Sequence, residues 1–140
     1  FDAVGGNAVF FNNYNRHNRV VGCRFTEIGE SAVCLVGSRH LTYGSVTAFP
    51  ADNLVANNLI HDCGVFGKQV SGVFCANAKR TTISHNHIYS MPRTGICFND
   101  CWGGGHVVEF NKIHHTVLET RDHGPFNSWG RERYWCATQA

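Results

Sequence analysis

Lysine is scarce in this chain of 140 residues: only Lys68, Lys79 and Lys112 occur, and the arginines are scattered. With a formal net charge of +2 there is no basic stripe to follow a nucleic-acid backbone, so no nucleic-acid partner is expected. Charged residues form 16% of the chain, too few for a coiled coil or a solvated disordered tail. Long apolar runs are missing as well. None approaches the roughly 20 residues of a membrane helix, so no membrane span is expected. The opening Phe1-Asp2-Ala3-Val4-Gly5-Gly6 lacks the basic start of a secretion signal, so any targeting segment is expected to lie outside this chain. Finally, no CxxC pair occurs among Cys23, Cys34, Cys63, Cys75, Cys97, Cys101 and Cys136, which weighs against zinc knuckles and thioredoxin-like sites. The odd number leaves at least one thiol unpaired within the chain. Most are read as small buried hydrophobes, with one or two disulfides if the protein is secreted.

What is plentiful is Asn and Gly, 15 of the latter. Both tolerate positive φ, so the chain reads as turn-rich and β-leaning. Four segments repeat: Val20-Val21-Gly22-Cys23-Arg24-Phe25, Val55-Ala56-Asn57-Asn58-Leu59-Ile60, Ile83-Ser84-His85-Asn86-His87-Ile88 and Val108-Glu109-Phe110-Asn111-Lys112-Ile113. Cys23, Asn58, Asn86 and Asn111 hold the same place in the four copies. Each copy is followed by a loop and a second short unit: Ala32-Val33-Cys34-Leu35, Gly72-Val73-Phe74-Cys75, Gly95-Ile96-Cys97-Phe98 and Gly124-Pro125-Phe126-Asn127. An earlier partial copy, Gly6-Asn7-Ala8-Val9-Phe10, reads as a second unit without its first.

Short β runs at such a period, without a helical pattern, predict an all-β fold: a parallel β-helix of about four to five coils. Equivalent positions then stack about 4.8 Å apart. Val20/Val55/Ile83/Val108, Phe25/Ile60/Ile88/Ile113 and Val33/Val73/Ile96 become interior ladders, Asn58, Asn86 and Asn111 pass amide hydrogen bonds from coil to coil, and Cys23 breaks that row. The glycines are expected mostly at bends before the second strands. An antiparallel sandwich is the competing fold, and the recurrent Asn argues against it. Because the repeat starts and stops in mid-coil without a polar cap, residues 1–140 are expected to be a single segment of a longer β-helix. It would be open at both ends and suited to end-to-end contact with further coils or another copy.

Function in such a scaffold gathers on the loops that stack along one edge. The loops between first and second units bring Glu27, Glu30, Asp62, Lys68, Arg93, Glu119, Arg121, Asp122 and His123 toward one surface, while the opposite edge is poorer in carboxylates. The densest stretch runs from His114 to Trp135 and mixes carboxylates, imidazoles, arginines and aromatics. That mixture suits sugar processing: carboxylates act as acid, base or nucleophile, aromatic rings stack on sugar faces, and Arg and Asn bind hydroxyls.

The stretch Glu119-Thr120-Arg121-Asp122-His123-Gly124-Pro125-Phe126-Asn127-Ser128-Trp129-Gly130-Arg131, with the Asn-x-Ile rungs before it, resembles the right-handed parallel β-helix proteins of the pectate-lyase-like superfamily. Within it the likeness is to secreted members grouped with glycoside hydrolases. The resemblance implies a polysaccharide or glycan partner, cleavage of glycosidic bonds and an extracellular or periplasmic location. On that basis Asp122 is the first catalytic carboxylate, with Glu119 or a carboxylate of an adjacent coil as its partner, and His123 completes the catalytic set. Asn127, Trp129, Arg131, Arg133, Trp135 and Arg93 are the expected substrate-binding residues. Glu30, Asp62 and Asp100 are further candidates for the second carboxylate.

Hydrolysis needs no cofactor. A polysaccharide lyase is the enzymatic alternative, with Ca²⁺ or Arg neutralising a uronate and an Arg or Lys base. A structural or adhesive β-helix that binds glycans without cleaving them is the non-enzymatic one. His85-x-His87 places two imidazoles on one face of a strand, with His114-His115 a coil further on. Hydrogen bonding to neighbours explains them without a metal, so no metal is expected.

Overall fold

The structure, a computed structural model, describes residues 1–38, 48–100 and 103–130. Among these there is no helix, and thirteen short strands form three parallel sheets. They are β1 (Val9–Asn12), β2 (Arg19–Val21), β3 (Arg24–Phe25), β4 (Val33–Val36), β5 (Leu54–Ala56), β6 (Leu59–His61), β7 (Ser71–Ala76), β8 (Thr82–Ser84), β9 (His87–Tyr89), β10 (Thr94–Asn99), β11 (Val107–Glu109), β12 (Lys112–His114) and β13 (Phe126–Trp129). One sheet has the order β1-β4-β7-β10-β13, the second β2-β5-β8-β11 and the third β3-β6-β9-β12. Every neighbour in a sheet is one coil further along the chain, which makes the protein a parallel β-helix.

The register matches the ladders expected from the repeat. Val20 pairs with Val55, Val55 with Ile83 and Ile83 with Val108. Phe25, Ile60, Ile88 and Ile113 form the second row, and Val9, Val33, Val73 and Ile96 the third. Phe25, Val33, Val55, Ile60, Val73, Ile83, Ile88 and Ile96 are fully buried. The last rungs are not: Val108 is 40% and Phe126 48% exposed. One expectation slips by a residue. Ile96 pairs with Phe126, and Pro125 instead accepts the Gly95 and Ile96 N–H groups. Proline has no N–H for an interior ladder, and its fixed φ suits the entry to a strand better than the rung itself.

Corners between strands repeat as faithfully as the strands. Gly22, Asn57, His85 and Phe110 follow paired strand ends, and all four have left-handed φ, between 54° and 69°. Ala3, Glu27, Asp62, Ser90 and His115 form a second such column, with φ of 48° to 53°. Only some of these residues favour that conformation on their own. Phe110 and Glu27 adopt it because the coil beneath dictates the turn. After the second column the chain dips inward, and Ile28, Cys63 and Met91 are buried as an interior row contributed by loops.

Each corner also carries a polar ladder. In the expected row, Asn86 Oδ1 accepts from the N–H of Asn58 at 3.0 Å and from its Nδ2 at 2.9 Å, and Asn111 Oδ1 does the same for Asn86. Their Nδ2 groups donate to the carbonyls of Val20, Val55 and Ile83. Cys23 ends the row by donating its backbone N–H to Asn58 Oδ1. Two further rows emerge only in three dimensions. Asn53 Oδ1 accepts from Asn18, and in the coils beyond, the Thr81 N–H donates to His106 Nδ1 at 3.2 Å. Asn7, Ser31, Ser71 and Thr94 form the third row.

His106 shows what such a place demands. Burial pushes its pKa down to about 4, since a charged ring there would be poorly solvated, and a neutral Nδ1 is needed to accept from Thr81. The unfolded chain therefore takes up this proton first as the pH drops. His106 contributes stability that is intact above pH about 6.5 and is lost progressively as the pH falls toward 4. Thermal melts between pH 7.5 and 4.5 should show a steeper decline for the native protein than for His106→Gln. Parallel curves would overturn this reading.

Two of the glycines are placed differently from expectation. Gly72 and Gly95 lie inside β7 and β10, not at bends, because a side chain there would collide with the neighbouring sheet. A Cβ on Gly72 would stand 2.8 Å from Ile88 Cγ2, and one on Gly95 2.5 Å from Ile113 Cγ2.

Candidate functional site

The loop edge assembles part of the expected site. Arg93 immediately precedes β10 with its side chain only 12% exposed, and its Nη2 lies 3.6 Å from Asp122 Oδ2. His123 Nε2 approaches the same oxygen at 3.2 Å. Asp122 itself is half-exposed, so its carboxylate is open to solvent while one oxygen faces two cationic or hydrogen-bonding groups. Arg93 Nε is buried with no hydrogen-bond partner, so part of this guanidinium's donor capacity is unspent.

The chain from 115 to 123 is held against the preceding coil. Its backbone N–H groups at Val117, Leu118, Glu119 and Thr120 donate to the carbonyls of Arg93, Met91 and Pro92, at 2.7 to 3.2 Å. Val117 has a φ of 59° and His123 of 69°. For a β-branched residue the left-handed region costs on the order of 1–3 kcal/mol, which the surrounding bonds must offset.

Glu119 has an ion-pair partner of its own on this edge. Its carboxylate is 2.9 Å from Lys68 Nζ, an exposed bridge across loops of two different coils. On β13, Asn127 stands over Cys97, with Nδ2 3.5 Å from Sγ, and Trp129 pairs with Asn99 and is 43% exposed. Arg131, Arg133 and Trp135 lie outside the described residues. Among the other candidate carboxylates, Glu30 accepts from Asn7 Nδ2 at 2.8 Å. Asp100 follows β10 where Arg93 precedes it, so a strand of about 20 Å separates it from the Arg93 end.

A shallow cleft lies further along the same edge and includes the candidate carboxylate Asp62. It has a volume of about 350 Å³ and is lined by Ala3, Val4, Gly5, Glu27, Asp62, Val65 and Phe66. Glu27 and Asp62 occupy equivalent corners of adjacent coils, and Phe66 is 75% exposed. The available signal was the register itself: once Phe25 is set on Ile60, Glu27 falls on Asp62. Asp62 Oδ2 also contacts His61 Nδ1 at 2.7 Å.

On the third sheet, His85 and His87 do not share a strand face as expected. His85 sits at a left-handed corner with its ring 5.0 Å from Phe110, whereas His87 belongs to β9. His61, Tyr89 and His114 stack in register, with centroids 4.9 and 5.3 Å apart and planes within 6°. His87 Nε2 lies 2.8 Å from His114 Nε2, and His114 Nδ1 contacts His115 Nδ1. Partial desolvation, then the neighbouring His115, His87 and Lys112, hold His114 below the ordinary imidazole pKa. Among the described residues, no group of three or more His, Cys, Asp or Glu is arranged to hold a metal ion.

Among the described thiols, Cys34 and Cys63 are not nucleophiles poised for reaction. Cys23, Cys34, Cys63 and Cys97 are free, and burial pushes Cys34 and Cys63 up to about 12. Cys75 is buried, and Cys101 and Cys136 lie outside the described residues. No helix among the described residues is long and apolar enough to cross a membrane. No protein-family model, no curated protein and no solved structure matches this chain.

Proposed function

We propose that this parallel β-helix is a carbohydrate-active protein that hydrolyses glycosidic bonds in a polysaccharide or glycan outside the cytoplasm. In this reading it is a secreted protein of the pectate-lyase-like type. The observation that carries the proposal is Asp122: an accessible carboxylate placed between Arg93 and His123 on the loop edge, beside the strand that bears Asn127 and Trp129. Asp122 serves as the acid or nucleophile, and Arg93 and His123 hold it in place and bind hydroxyls. Asn127 and Trp129, with Arg131, Arg133 and Trp135, supply further contacts to the sugar. Glu119, bridged to Lys68, is the candidate partner carboxylate of this reading.

Glu27 and Asp62 support a second placement of the same chemistry. Corners of adjacent coils stand about 4.8 Å apart, close to the roughly 5 Å between carboxyl groups of a retaining glycosidase, and an exposed phenyl ring borders their cleft. Release of reducing ends from a panel of neutral and acidic glycans distinguishes the two. Asp122→Asn is expected to lower the rate by roughly a hundredfold, the scale of one lost acid or base, with folding unchanged. Full activity in that variant combined with loss in Asp62→Asn would move the chemistry to the cleft. An unsaturated uronate product would indicate a lyase instead, and glycan binding without any product an adhesive β-helix.

A further inference from the structure

The outer face of the β3-β6-β9-β12 sheet carries imidazoles that the loop-edge chemistry does not use. The coil repeat sets His87 and His114 diagonally across neighbouring strands, because His87 pairs with Lys112 and His114 with Tyr89. Their Nε2 atoms face each other at 2.8 Å. Two neutral rings can share only one proton across that gap, so one nitrogen is a donor and the other a bare lone pair. At the far side of His114, its Nδ1 meets His115 Nδ1. A proton on His114 Nδ1, donated to His115, fixes the tautomer whose Nε2 lone pair points at His87.

The rings are also held in place. Tyr89 stacks on His114 at 5.3 Å and lies against His87 at 4.9 Å, and His61 closes the column beyond it. Both imidazoles are half-buried, which leaves one side of the pair open to solvent.

We propose that His87 and His114 bind a divalent transition cation of the zinc type between their Nε2 atoms, with His115 as a positioning residue. Zinc–imidazole bonds of about 2.0–2.1 Å at a tetrahedral angle need nitrogens about 3.3 Å apart, so the pair has only to open by about half an ångström. On binding, the proton between the rings moves from His87 Nε2 to His87 Nδ1 through solvent. Both rings remain neutral, and water fills the remaining positions. Two protein ligands make an open site, to which no third His, Cys, Asp or Glu among the described residues is added. Lys112 beside the pair disfavours a hard cation held by charge alone and leaves ions that bond strongly to nitrogen. His115 stands where a carboxylate, carbonyl or water usually accepts from the nitrogen of a metal-bound imidazole that does not face the metal.

Titration of Zn²⁺ into the full chain by calorimetry tests this, with Ca²⁺ as the comparison ion. Zn²⁺ should bind one site and Ca²⁺ should give no heat. His87→Ala and His114→Ala should each weaken Zn²⁺ binding roughly tenfold or more, and the double variant should add little to either. His115→Ala should cause a smaller loss, and His85→Ala, on the neighbouring corner, none. Because an alanine in the stacked column could disturb folding, His114→Gln and the zinc-induced shifts of the imidazole ¹⁵N resonances in the native protein give independent readings. Native-like affinity in His87→Ala or His114→Gln, an equal loss in His85→Ala, or unshifted Nε2 resonances would each overturn the proposal.

Discussion

Asn86→Ala is expected to lower the unfolding free energy by about 4 kcal/mol, a large share of the stability of a domain this size. The side chain is 1% exposed and every polar atom in it is used. Its oxygen receives the Asn58 N–H and Nδ2, while its nitrogen donates to the Val55 carbonyl and to Asn111 Oδ1. Alanine removes all four bonds and leaves the Asn58 N–H and the Val55 carbonyl in a dry corner. Each buried, unsatisfied group costs about 1–3 kcal/mol. Asn57→Ala, at the left-handed corner of the preceding coil, is the control, since Asn57 is exposed and supplies only a left-handed turn, a feature worth about 1–2 kcal/mol. Urea unfolding of both variants decides the matter. Equal costs at the two positions would mean that turn conformation, not the amide ladder, holds the corner.

Ile88→Ala should cost nearly as much, about 4 kcal/mol, for a reason unrelated to hydrogen bonding. Ile88 is fully buried between Ile60 and Ile113, and its Cγ2 occupies the space against Gly72. Substitutions of this kind cost about 2–5 kcal/mol, depending on how far the surroundings collapse into the cavity. Collapse is restricted here. The rungs on either side are pinned by parallel backbone bonds at the strand spacing, and Gly72 has no side chain to swing inward. Ile88→Val should cost only about 1 kcal/mol. A loss under about 1.5 kcal/mol for the alanine variant would show that the stack relaxes more freely than its register implies.

The interior of this protein was legible in its sequence because a parallel coil repeats one environment at each turn. Val55 and Ile83 are alike since they face the same neighbours above and below. Asn58, Asn86 and Asn111 recur since each corner buries the same N–H. The site was less legible. Loops vary in length between coils, so spacing in the chain does not say which loop residues meet. Asp122, Arg93 and His123 do converge, whereas Glu119 is drawn to Lys68, and the Glu27–Asp62 corner pair becomes visible only in register.

Recurring aliphatic residues, the recurrent Asn and the shared period determined, without any coordinates, that the strands stack in parallel and which residues form the rungs, except at Phe126. They sufficed because burial and hydrogen-bond satisfaction act on every coil in the same way. Other features were decided only by the tertiary structure. Phe110 and Glu27 turn left-handed because the coil beneath them sets the corner. Ser31, Ser71 and Thr94 act as ladder residues without being asparagine. Gly72 and Gly95 lie within strands because an isoleucine from another sheet fills the space a side chain would need. His87 and His114 come into contact although 27 residues separate them. Each depends on what stands one coil away or across the core, and that distance is not written in local sequence.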